Sequence, residues 1–184
     1  MPTPDTFPPK SFASFYAAFD AFGAQPSPPP LLLFQADGTE SVDVIGTFRD
    51  HHHIIKQRVA ALETDGFVIL LYSDGSPDTS RFVTLPRDVA EKAISQWSPR
   101  YTDWDAALMH ALVFAWYDIA PHYVLTHKDG IDVIAWSEHA GERATRLHDS
   151  GRTVTQSRLV QMESPSRLTV TDVPLHEKTV YYFD

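Results

Sequence analysis

Apolar and polar positions recur along this chain in two periods, and their order predicts its elements. In residues 11–22, "SFASFYAAFDAF", the side chains Phe12, Phe15, Tyr16, Phe19 and Phe22 fall at helical spacing, which gives the helix an almost wholly aromatic face. Ser11 is the expected N-cap and Gly23 the residue just past the end. The proline-rich spacer 26–30, "PSPPP", stops that helix and favours extended polyproline backbone. In "LLLFQADGTESVDVIG" two apolar runs flank Asp37-Gly38, a pair suited to a hairpin turn. After the segment 47–62, "FVILLYS" is so continuously apolar that it predicts a strand covered on both faces. "DGSPDTS" turns the chain and "RFVTL" returns it. Pro86 suits the first position of a helix over "PRDVAEKAISQW". Thr102, with Asp105 three residues on, is the expected cap of the long apolar helix that begins at Trp104.

The last third changes to hairpins. "HYVLTH", "KDG" and "IDVIAW" form one. "RATRLH", "DSG" and "RTVTQSRLVQM" form a second, and "RLTVTDV" and "KTVYYF" complete the set. The expectation is an α+β fold: a mainly antiparallel sheet built from hairpins, packed with three to four helices. Residues 1–184 are expected to form a single domain, its N-terminal aromatic helix joined through the spacer.

Composition narrows the class. At 184 residues and 43% hydrophobic content the chain can bury a real core. It has no cysteine, so thiol chemistry and disulfides are excluded. The longest apolar stretch, 104–120, is interrupted by Asp105, His110 and Asp118 and falls short of a membrane span. "MPTPDTFPPK" lacks the basic region and apolar run of a secretory signal, so a cytoplasmic protein is expected, with no membrane partner. A net charge of −9 disfavours nucleic acid and suits either solubility or a basic protein partner. The arginines Arg143, Arg146, Arg152, Arg158 and Arg167 make the C-terminal strands locally basic, which on strand faces serves solubility and guards edges.

The chemistry-bearing residues are scattered. "TFRDHHHIIKQRVAAL" reads as a helix with Thr47 as N-cap and Asp50 at its third position. Three adjacent histidines on a helix are splayed around its axis by about 100° per residue and cannot grip one ion. Asp50 and His53, three apart, are the one pair that shares a face; a metal there would need His122, His127, His139 or Glu138 from elsewhere. No metal or other cofactor is expected. His110 stands within the most apolar helix, where an imidazole must find a partner. Were the chain an enzyme, His110, Asp118 and His122 would supply acid–base groups, with Tyr117 or Tyr123 as a donor. "DGSPDTSRFVTL" begins like a calcium loop but has Thr79 and Leu85 where glycine and glutamate are required. Phosphate-binding, dinucleotide-binding and hydrolase signatures are absent.

The favoured expectation is therefore a small acidic protein-binding domain, and an inhibitor- or immunity-type role against a basic partner fits its charge. Its contact surface would be the aromatic face Phe12, Phe15, Tyr16 and Phe19, or an acidic patch with Asp74 and Asp78. The same helix could instead join two copies of the chain. A small cofactor-free or metal-assisted enzyme and a structural component of a larger assembly are the alternatives.

Overall fold

Four consecutive buried residues, Leu31 to Phe34, open the strand on which the first sheet is centred. The computed structural model describes residues 9–25, 28–47, 50–73, 80–95, 100–118, 122–135, 152–164, 167–172 and 180–181. In chain order the elements of the first half are β1 (Ser11–Phe12), α1 (Phe15–Gly23), β2 (Leu31–Ala36), β3 (Val42–Thr47), α2 (His52–Ala60), β4 (Gly66–Ser73), β5 (Ser80–Pro86) and α3 (Arg87–Ser95). They build an antiparallel sheet of order β1-β3-β2-β4-β5. The hairpin at Asp37-Gly38 forms as its sequence requires, with Gly38 at φ 75°.

The central strands are buried on both sides because each side has its own cover. Leu32, Phe34, Val68, Leu70 and Tyr72 face the main core. The alternate residues Leu31, Leu33, Ile69 and Leu71 pack with Ala18 and Phe22 of α1 in a second, outer layer. Phe12, Phe15 and Phe19 pack against that layer while partly buried. At about 1.5–3 kcal/mol for each buried leucine or phenylalanine, the outer layer is a substantial fraction of the fold.

The second half comprises α4 (Trp104–Asp118), β6 (His122–His127), β7 (Gly130–Ala135), β8 (Arg152–Ser164), β9 (Arg167–Asp172) and β10 (Val180–Tyr181). Its strands run in the order β10-β8-β6-β7, with β9 also paired to β8, and every pairing is antiparallel. The architecture is α+β: two antiparallel sheets packed with four helices among the described residues. One buried cluster draws on both sheets and on α2, α3 and α4. No helix of the described residues is long and apolar enough to cross a membrane.

Four helix starts differ from the sequence expectation. Ser11 and Phe12 pair with Asp43 and Val42 as strand β1, so α1 starts later and Ser14 is its cap, accepting the Ala17 N–H at 3.2 Å. Thr47 belongs to β3, and His51 is the N-cap of α2, with no side-chain capping bond. Asp103, one residue after Thr102, caps α4 by accepting the Asp105 N–H at 2.9 Å. Pro86, expected as the first helical residue, ends β5 opposite Phe67. The strand partner expected for β8 from "RATRLH" lies outside the described residues, as do the turn with Asp74 and Asp78 and Pro26 and Ser27 of the spacer.

Gly66 begins β4 where two strands come closest. A Cβ there would collide with the Gln35 carbonyl oxygen and meet Ala36 Cα and Phe34 Cζ, both at 2.9 Å. Gly66→Ala is expected to destabilise the protein by about 2 kcal/mol, read as a lower urea midpoint at unchanged slope.

Candidate functional site

The carbonyls in the last turn of α3 explain where two of the histidines go. A helix leaves its final carbonyls without intrahelical donors. His110, on α4, places Nδ1 2.6 Å from the Ala93 oxygen, and His52, the first residue of α2, places Nε2 2.9 Å from the Ile94 oxygen. A carbonyl only accepts, so the proton sits on Nδ1 of His110 and on Nε2 of His52. Tyr101 Oη lies 2.8 Å from the same Nδ1. Phe114, one turn beyond His110, stacks on His110 at 4.3 Å and meets the His52 ring at a tilt at 4.4 Å, with His122 at 6.4 Å.

Burial sets the charge of this cluster. His110 and His122 are wholly buried. The His110 pKa is lowered to about 4, first by desolvation and further by His122 and His52, with only the Ala93 bond acting in the other direction. His110 is thus a neutral imidazole closing a helix end. Of the expected acid–base set, His110 and His122 come together around Phe114; Asp118 ends α4, and its side chain, like that of Tyr117, lies outside the described residues.

The remaining histidines of the triplet stay at the surface. His51 and His53 stack at 5.7 Å, while Asp50 is drawn into the turn before α2. Its carboxylate accepts the Thr47 N–H at 2.8 Å and pairs with Arg58 at 3.0 Å. Among the described residues no three His, Asp or Glu side chains gather to hold a metal ion. Glu138 and His139 fall outside them.

On the outer layer, Tyr16 is the exposed member of the aromatic helix, at 77%. Phe15 touches it at 5.9 Å and touches Phe82 of β5 at 5.0 Å; Phe19 reaches Phe82 at 6.1 Å. Phe82 is half exposed, and Phe67, on the same face of the β4–β5 ribbon, is 43% exposed. Sequence periodicity found Tyr16 but missed Phe82 and Phe67, because only strand register reveals that they point outward beside α1.

Two further arrangements were not legible in the sequence. On the β6–β7 hairpin, His127 Nε2 donates to Asp132 at 2.9 Å, and Arg100 Nε donates to the other carboxylate oxygen at 3.3 Å. The Asp129 N–H donates to His127 Nδ1 at 3.2 Å, which fixes the tautomer. This chain anchors residues 100–101 beside Ile131, where Tyr101 exchanges both backbone bonds at 2.8 Å. The second arrangement is a cleft of about 380 Å³ at the β5 edge, between β4, α4, β8 and β9. Arg81, Trp104, Asp105, Arg158 and Asp172 supply its polar and aromatic lining. Of the basic strip expected on the C-terminal strands, Arg158 is the member whose side chain is described, and it pairs with Asp172 at 2.8 Å.

Comparison with protein-family models, with curated proteins and with solved structures finds no match to this chain. The class that the geometry defines is an α+β protein with sealed interior histidines and two surface features, an aromatic layer and a polar cleft.

The depressed His110 pKa has a definite sign in stability. Unfolded, the imidazole takes a proton below its ordinary 6.5; folded, it resists until about 4. Between those values the unfolded state binds more protons, so stability falls as pH is lowered through the window. From about pH 7 to about pH 5 the wild type should lose about 2 kcal/mol more than His110→Gln, measured by urea titration at each pH.

Proposed function

We propose that this chain is a cytoplasmic protein-binding domain whose contact surface is the aromatic layer over the first sheet. The observation that carries the reading is the contiguous patch of Tyr16, Phe15 and Phe82, extended along the ribbon by Phe67. Large aromatic side chains left in water by a folded chain mark interaction surfaces, and aromatic anchors supply most of the energy of an interface.

Charge supports a basic partner. Asp20, Asp37, Glu40 and Asp43 are exposed on the elements of this half. Residues 1–80 hold ten acidic and four basic side chains, so the chain's negative charge is concentrated here. Asp74 and Asp78 belong to the same stretch of sequence. A net negative half of the chain speeds encounter with a positively charged surface and disfavours a negative one, while the aromatic layer supplies the contact area. An inhibitor- or immunity-type role follows naturally from such a surface. The enzyme alternative draws less support, because the Nδ1 proton of His110 is committed to the Ala93 carbonyl within a closed interior.

The test is an affinity pull-down from source lysate using the wild type beside Tyr16→Ala/Phe82→Ser, with both proteins checked for equal thermal stability. A single near-equimolar partner should be retained by the wild type, released by high salt, and weakened by about 30-fold or more in the double variant. A partner held equally by both proteins would move the interface elsewhere. If the wild type retains only itself and the double variant runs as a monomer, the layer joins copies of this chain.

A further inference from the structure

β5 closes one end of the first sheet, and among the described residues no strand pairs with its outer edge. All seven of its residues, Ser80 to Pro86, pair with β4 in a single register. A straight edge offers its outward N–H and carbonyl groups to any strand that can lie beside it, unless a bulge, a proline or a charge prevents this. Pro86 stands at the far end of the strand, and Arg81 is its one charged side chain.

The register with β4 gives this edge two different sides. Arg81 and Val83, opposite Tyr72 and Leu70, lie on the side of the main core. Phe82 and Thr84, opposite Leu71 and Ile69, lie on the outer side, where Phe82 meets Phe15 at 5.0 Å and Phe19 at 6.1 Å. Arg81 is exposed and Phe82 half exposed, so water reaches both sides. On the inner side the edge borders the polar cleft, where Arg158 is already held by Asp172 at 2.8 Å. Asp105, exposed in the same cleft, forms no ion pair among the described residues. A strand that fits this edge carries an aromatic residue on its outer side and a cation on its inner side. β5 itself has that alternation.

We propose that two copies of this chain pair through β5, antiparallel about a two-fold axis at Phe82. Opposite residues of paired strands point to the same side of a sheet, so the axis passes through a residue of β5 and not between two. An axis at Arg81 sets like charges face to face. One at Val83 sets each Arg81 beside Leu85, which is buried and lies outside the cleft lining. An axis at Phe82 pairs Ser80 with Thr84, Arg81 with Val83, and Phe82 with itself. Val83 and Asp105 line the same cleft, so each Arg81 brings its guanidinium to the Asp105 carboxylate of the other copy. The charge that guards the edge against other strands thereby admits a second copy. The net charge of −9 on each copy opposes approach, but physiological salt confines that repulsion to about 8 Å. This pairing needs no other protein, and it joins two aromatic layers into one surface around the Phe82 pair.

Sedimentation velocity of the purified full chain at about 100 μM and about 0.15 M salt tests it. The wild type should sediment as a dimer and dissociate on dilution. Arg81→Glu and Asp105→Arg should each weaken the dimer by about 30-fold or more, because each sets two like-charged pairs across the axis. Their equimolar mixture should recover the dimer, since each variant then meets the opposite charge on the other. The chain has no cysteine, so Phe82→Cys supplies a single thiol whose reading does not depend on the charge variants being stable. Opposite residues of antiparallel strands stand about 4.5–5.5 Å apart at Cα, within disulfide range. Mild oxidation should therefore couple Phe82→Cys to a second copy about tenfold faster, or more, than Tyr16→Cys. A monomeric wild type, unchanged dimers in both charge variants, a mixture that stays monomeric, or equal coupling at the two thiols would overturn the pairing. Each of these would leave the aromatic layer standing as a surface for another protein, because neither Arg81 nor Asp105 belongs to it.

Discussion

Everything in this molecule leans on α4, a helix with a sheet on either side. Its residues from Ala106 to Val113 are buried without interruption, and Ala115 and Trp116 follow. It touches β5 of the first sheet and β6 to β9 of the second. A helix so placed cannot have a polar stripe, which is why its apolar residues fall on every side instead of on one. The constraint reaches further. Any polar group on such a helix must bring its own partner, and His110 meets that condition by closing the end of α3.

This arrangement separates the chain's histidines by task. His52 and His110 serve two successive carbonyls of one helix terminus, and both rings lie against Phe114. His127 serves a buried carboxylate, and His51 and His53 remain in water. At the surface the chain has aromatic side chains on the outer face of one sheet and a charged cleft beyond that sheet's edge.

What could be read from the sequence was local. Hairpins with a glycine turn, at Asp37-Gly38 and Asp129-Gly130, and the doubly covered strand β4 announce themselves because period and turn chemistry act within a few residues. Helix starts were displaced where a distant strand claimed the residues first, as β3 claimed Ser11 and Phe12. The cleft was invisible for the same reason at larger scale. Tyr72, Arg81, Trp104, Arg158 and Asp172 have no common spacing, and only the packing of two sheets against α4 assembles them. The aromatic helix was half legible: its period named the residues, but the fold decided that Phe15 and Phe19 lean inward while Tyr16 looks out.

The position of α4 in the chain also bears on its birth. The helices and strands that cover one of its sides are made before it, whereas β6 to β9, which cover the other, are made after it. At about 5–20 residues per second, a ribosome needs several seconds to supply the stretch from His122 to Asp172. During that interval a helix apolar all round has one bare flank. The nascent chain thus passes through a brief adhesive phase, in which any other apolar surface competes with its own later strands for that flank.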